Sequence, residues 1–221
     1  MSLKPDDTLA LAERFLEQNY LQANPPELQR LIITLYRLLL GGQAVEMSAL
    51  AAAGRDDSEV RDLLALVPEA AYDLGEDGRI TAFIGLSTVP TRHRLITNGT
   101  VLYTWCAFDA LFLPGLLGIA AEIESLCPAG GGTIKIRLNG GRLEGAIPSD
   151  PVLSFVMPDH EAFAKDLRGE FCCHVNFFAN RDLFAIQAAG KGHMGAVSLP
   201  EALRLANRRN ANRFPDIKPR R

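Results

Sequence analysis

The sequence predicts an α+β protein in which a helical, winged-helix-like module over residues 1–85 packs on a second domain over residues 86–221. That second domain is expected to be a mixed, largely antiparallel β-sheet with short helices. Three observations carry the expectation. Amphipathic helical stretches dominate the N-terminal part, and short β-rich runs divided by Gly and Pro turns take over after about Gly85. Before that change, the order helix, turn, helix, hairpin is that of a winged-helix module. Beyond it, Asn98-Gly99 joins "HRLIT" to "TVLY", a strong hairpin signal. With 221 residues, 48% hydrophobic and 22% charged, the chain can form a core without disulfide staples.

The elements follow in order. Residues 6–21 form an amphipathic helix with acids at its start, where the helix dipole favours them. "NPPELQRLIITLYRLLLGG" gives a second, with Pro26 near its first turn and Gly41-Gly42 past its end. "VEMSALAAAGRDDSEVRDLLALV" reads as a short helix, a turn at Gly54 and a helix capped by Asp57 or Ser58. "AAYDLGEDGRITAFI" supplies two strand-like runs around a turn at residues 75–78. In the second domain, "WCAFDALFLPG" looks helical as far as Pro114, and "IAAEIESLC", "TIKIRL" and "VLSFVM" look like strands. "HEAFAKDL" is a short helix and "FCCHVNFF" a strand. The closing "VSLPEALRLANRRNANRF" opens with Ser198 and Glu201 at capping-box spacing.

Charge and composition narrow the function. The net charge is −3, which makes no case for nucleic acid or an anionic membrane as a partner. Residues 43–85 hold three arginines against nine acids, and the would-be recognition helix begins "DDSEVRD". Such a surface would meet phosphates with like charge, so packing, not DNA binding, is the expected role of the module. The start lacks the apolar core of a secretory signal, and the greasiest run, residues 107–121, is short and contains Asp109 and Pro114. A cytoplasmic protein is expected. Four cysteines are too sparse for a disulfide scaffold, which leaves free thiols as ligands or nucleophiles.

Two segments could carry chemistry. On a strand, Phe171, Cys173, Val175 and Phe177 would share an apolar face, and Cys172, His174, Asn176 and Phe178 the other. Cys173 is then expected in the core, with Cys172 presented to a site, although Phe178 interrupts the polar face and a bulge would exchange the two. In "WCAFD", Cys106 and Asp109 stand three apart and face the same way on a helix. A carboxyl beside the apolar "ALFLPGLLG" run would have a raised pKa, suited to holding and passing a proton. The bland alternative keeps Asp109 as a helix cap and Cys106 as core. Cys127, before Pro128 at a turn, is expected to pack structurally, and His93, His160 and His193 to be surface or hydrogen-bonded residues. A C-x-x-C zinc pair, a P-loop, a dinucleotide fingerprint and a nucleophile elbow are missing. Seven basic residues (Arg204, Arg208, Arg209, Arg213, Lys218, Arg220, Arg221) close the chain against Asp216; a solvated helix face and tail is the expectation.

"LYTWCAFDALFLPGLLG" and "FCCHVNFF" together resemble the two signature segments of the alkylmercury (organomercurial) lyase family, and the resemblance extends through "VSLPEAL". It implies protonolysis of a carbon–mercury bond to a hydrocarbon and Hg(II). The family's two mercury-binding catalytic cysteines fall on Cys106 and Cys172, its catalytic aspartate on Asp109, and its non-catalytic cysteines on Cys127 and Cys173. The chain departs from the pattern at Asn176, where the family often has histidine. The resemblance implies no organic cofactor; Hg(II) is a product held at Cys106, Cys172 and Asp109, and exogenous thiol sustains turnover. Implied partners are the organomercurial substrate and a small thiol or mercury reductase as acceptor, with the chain a monomer or homodimer. A non-catalytic carrier of mercury or copper(I) would use the same thiols without needing Asp109. A metal-responsive transcription regulator would instead need the helix-turn-helix to bind DNA.

Overall fold

The computed structural model describes residues 5–20, 23–51, 56–130, 132–158, 160–191 and 194–217. The turn at Gly54, His193, Lys218, Arg220 and Arg221 lie outside the described residues.

Helix α1 is Pro5–Tyr20 and α2 is Pro26–Leu39, which buries Leu28, Leu31, Ile32, Leu35, Tyr36 and Leu39 along one stripe. The short α3, Met47–Ala51, precedes α4, Asp57–Leu64. The α4 cap is Asp56, whose side chain accepts the Ser58 N–H at 3.1 Å, not Asp57 or Ser58. Three capping residues in succession make that boundary ambiguous in sequence, and the first of them has the extended backbone a cap needs. Strands β1, Tyr72–Leu74, and β2, Ile80–Phe83, complete the helix, helix, hairpin order.

The hairpin does not stand apart. Strand β3, Leu86–Ser87, pairs with β2 on one side and with β5, Thr100–Thr104, on the other. Strand β4, His93–Thr97, follows β3 and turns at Asn98 and Gly99 into β5. Both turn residues have positive φ, as a two-residue hairpin of this hand requires. Helix α5 (Ala107–Leu117) then leads to β6 (Ala120–Leu126), β7 (Thr133–Asn139) and β8 (Arg142–Ile147). The sheet order is β1-β2-β3-β5-β4-β6-β7-β8, antiparallel throughout its described pairings. It therefore crosses residue 85 without a break.

A second sheet has β9 (Val152–Val156) between β10 (Phe177–Phe178) and β11 (Met194–Ser198), also antiparallel. Helices α6 (His160–Lys165), α7 (Leu167–Glu170) and α8 (Arg181–Ala188) connect these strands, and α9, Leu199–Arg213, closes the chain. Ser198 and Glu201 form the expected capping box on α9: the Ser198 hydroxyl donates to Glu201 Oε2 at 2.6 Å, and the Ser198 N–H does so at 2.8 Å.

Two elements depart from the sequence reading. Helix α5 runs through Pro114 to Leu117, and Gly118 ends it in the left-handed conformation. All eleven of its residues are buried, and burial on every side outweighs the backbone hydrogen bond that Pro114 cannot donate. "FCCHVNFF" is not one strand. Cys172–His174 is a single turn of 3-10 helix, and only Phe177–Phe178 pair with β9. Ser154 of β9, fully buried, sets that turn. Its hydroxyl donates to the His174 carbonyl at 2.6 Å and accepts the Asn176 N–H at 2.8 Å. Twenty-residue-distant contacts thus override a local preference for strand.

Candidate active site

Cys106 occupies the N-cap of α5 with extended backbone (φ −142°, ψ 171°), and Asp109 is the third helical residue. The pair has the reciprocal geometry of a capping box with sulfur replacing the usual hydroxyl. Asp109 Oδ2 accepts the Cys106 N–H at 3.0 Å. Thr104 Oγ1 donates to the Cys106 carbonyl at 2.9 Å, which fixes the approach to the helix. The next donor, the Ala107 N–H, goes to the Val175 carbonyl at 3.0 Å. That last bond joins the start of α5 to the Cys172 turn, and it brings residues 66 positions apart into one pocket.

The result is a buried cluster: a Cys106 sulfur, an Asp109 oxygen and the Cys172 sulfur all lie within 4.8 Å of one another. Cys106 is inaccessible, Cys172 is 5% exposed and Asp109 8%. Burial pushes the Asp109 carboxyl up to about 6, against the downward pull of Cys106 hydrogen bonding and of the Arg209 and Arg168 charges. Burial, the Cys172 contact and the Asp109 charge raise the Cys106 thiol well above its ordinary value. At Cys172 the hydrogen bond with Cys106 pulls downward; burial and the Asp109 charge outweigh it, so that thiol too is raised. The site at rest therefore holds protons on sulfur and has a carboxyl able to exchange one near neutrality.

The structure brings together all three residues singled out in the sequence and excludes their neighbours. Cys173 is exposed, the reverse of its expected core position, because the 3-10 turn abolishes strand alternation. It borders a separate hollow beside Arg92, His174 and Lys191. Cys127 is buried behind the end of β6, with its N–H on the Gly132 carbonyl at 3.0 Å, as a packing residue should be. His93 is buried and bonded to Ser125 Oγ through Nδ1 at 2.8 Å, with burial lowering its pKa to about 3.

Several contributors escaped the sequence reading. Gly85 has φ +92°, and a Cβ placed there would overlap the Asp109 carboxyl, reaching 2.6 Å from Oδ1. The preceding Ile84 has φ 36°, rare for a β-branched residue, and the Tyr36 hydroxyl donates to its carbonyl at 2.9 Å. An isolated glycine in a strand-like run was the available signal for such a close approach. Arg209, expected on a solvated face, is 4% exposed and lies over the Phe112 ring at 3.7 Å beside Asp109. Arg168 stacks over Trp105 at 3.7 Å and approaches Asp73 of β1 at 2.6 Å.

Known proteins resemble this chain over the region that holds the cluster. The MerB, alkylmercury lyase, family model matches residues 86–209, a span that contains the whole cluster. An alkylmercury lyase of Streptomyces lividans is 38% identical over 173 residues, 76% of this chain and 75% of that protein. One from Pseudomonas putida is 36% identical over 158 residues, 71% of this chain and 72% of that protein. A third, from Staphylococcus epidermidis, is 34% identical over 166 residues, 75% and 74% of the two. The crystal structure of the mercury-bound form of MerB2 shares the fold, with a TM-score of 0.72 at 23% identity over 94% of this chain and 98% of that one. The chain belongs to the alkylmercury lyase family.

Proposed function

We propose that this chain cleaves the carbon–mercury bond of organomercurials by protonolysis, with Cys106 and Cys172 as mercury ligands and Asp109 as the proton carrier. The observation that carries the proposal is the convergence of two buried thiols and a raised carboxyl within 4.8 Å. A soft metal prefers thiolate, and two converging sulfurs suit the near-linear coordination of mercury. The organomercurial arrives bound to a carrier thiol. One site cysteine displaces that thiol, and its proton leaves with the displaced carrier. The second cysteine then adds to mercury and gives its proton to Asp109. Two sulfurs donating to mercury make the attached carbon basic, and Asp109 returns the proton to it. The carbon–mercury bond breaks, the hydrocarbon leaves, and Hg(II) remains between the two sulfurs. Atoms balance: two thiol protons enter, one departs on the carrier and one on the hydrocarbon.

No organic cofactor enters this sequence. A small thiol or a mercury reductase takes the Hg(II), which fits a reducing cytoplasm; among the described residues no helix is long and apolar enough to cross a membrane. The acidic helical module over residues 1–85 serves packing, not DNA binding. The test is purified protein with excess thiol and phenylmercury, with benzene measured in the gas phase. Cys106→Ser, Cys172→Ser and Asp109→Ala should each abolish release, while Cys173→Ser retains most of it. Asp109→Ala should still bind one Hg(II), which separates an enzyme from a metal carrier. Full turnover by Cys172→Ser would overturn the mechanism.

A further inference from the structure

The space beside the reacting groups is small. The cavity bordered by Asp109, Cys172, Trp105 and Phe171 has a volume of about 20 Å³, room for one water-sized group. A volume of that size is too small for an aryl group. A second cavity of about 200 Å³ adjoins it, lined by Leu28, Ile32, Val67, Ala71, Phe163 and Phe214. Ile84, Leu167 and Arg209 line both, so the two cavities are neighbours across a shared wall made of these three side chains. The lining of the larger cavity is mostly apolar, and an engineered apolar cavity of roughly 150 Å³ accommodates benzene. It opens to solvent where Leu66, 60% exposed, and Pro68 stand.

We infer that this second cavity receives the organic group of bulky organomercurials, above all aryl groups, while mercury sits at Cys106 and Cys172. The inference rests on the catalytic reading above. Its wall comes from both parts of the chain: α2 and the segment after α4 on one side, α6, α7 and the end of α9 on the other. Arg209 forms the shared rim. Its guanidinium lies over Phe112 at 3.7 Å and 5.7 Å from the Phe214 ring centre, which makes this part of the wall aromatic and cationic together. The Tyr36 hydroxyl donates to the Ile84 carbonyl at 2.9 Å and so holds that part of the shared wall in place. On this account N-terminal residues such as Ile32 and Val67, which never touch mercury, decide which carbon groups are accepted.

The experiment compares kcat/KM for phenylmercury and methylmercury in the full-length parent and in two variants at Val67. Val67→Phe fills the cavity and should lower the phenyl-to-methyl ratio by about tenfold or more, the size expected for steric exclusion from an apolar pocket. Val67→Ala enlarges it and should raise the ratio of 1-naphthylmercury to methylmercury. It also decides the matter if the filled variant fails to fold. Ratios within twofold of the parent in a folded variant overturn the inference. Failure of the parent to release methane or benzene overturns the catalytic reading instead, so the two failures are distinct.

Discussion

Replacing Gly85 by alanine would drive a methyl group into the Asp109 side chain. The new carbon would stand 2.8 Å from Asp109 Cβ and 2.6 Å from Oδ1. Asp109 Cγ would stand closer still, so recovering a carbon–carbon separation of about 3.5 Å requires the aspartate to retreat by about 1.1 Å. That shift would stretch the 3.0 Å bond from the Cys106 N–H beyond hydrogen-bonding range. Losing a buried bond to a carboxylate costs about 2 kcal/mol, and a left-handed backbone at a non-glycine residue adds about 1 kcal/mol. A stability loss near 3 kcal/mol should lower the melting temperature by roughly 10 °C in a chain of this size. If Asp109 carries the proton as proposed, misplacing it by that distance should reduce turnover on the order of 100-fold, since near-attack geometry tolerates little displacement. Hg(II) binding at one ion per chain should survive, because neither thiol is touched. The assay is benzene release under excess thiol, alongside calorimetry and mercury titration. Turnover within twofold of the parent, with an unchanged melting temperature, would refute the claim that Gly85 sets the Asp109 position.

Two further expectations concern the same shell. Asp109 has its folded pKa raised from 3.8 to about 6, so its contribution to stability is fully present below 3.8 and is lost as pH rises through 6. Asp109→Asn should therefore flatten that part of the stability profile and be more stable than the parent at pH 7.5, by on the order of 2 kcal/mol, although inactive. Urea unfolding of variant against parent between pH 4 and pH 8 measures this, and the subtraction removes the opposite contribution of His93. Ser154→Ala strips the donor from the His174 carbonyl and the acceptor from the Asn176 N–H. It should cost about 2 kcal/mol and lower turnover more than it lowers the affinity for a first mercury–thiol bond, read by separate binding and hydrocarbon-release assays.

Two of the three residues of the buried cluster are legible because their signals are local. Cys106 and Asp109 stand at the spacing a helix N-terminus imposes, and the apolar run after them already implied a raised carboxyl. For Cys172 the family resemblance and strand alternation point to the same residue, but the structure does not support the second reason. Strand alternation favoured it, but a 3-10 turn held by Ser154 is what buries it and turns Cys173 outward. Nothing within the run "FCCHVNFF" encodes a partner on β9. Strand β8 went unread because it is largely exposed on both faces, so its hydrophobicity does not alternate. Arg209 sits in a basic stretch that reads as solvated, and only the packing of α9 against α5 puts Phe112 beneath it. Gly85 was visible as a glycine, but what it makes room for lies 24 residues away.

The two thiols come from chain positions 106 and 172, and an ion shared between them would act as a temporary cross-link closing a loop of 66 residues. By the chain-entropy account of disulfides, such closure restricts the unfolded state by about 4 kcal/mol. Product binding on these terms makes the loaded molecule the hardest to loosen. On the proposed mechanism, a thiol that removed the mercury would do more than accept cargo: it would cut the clasp locking the start of α5 to the Cys172 turn.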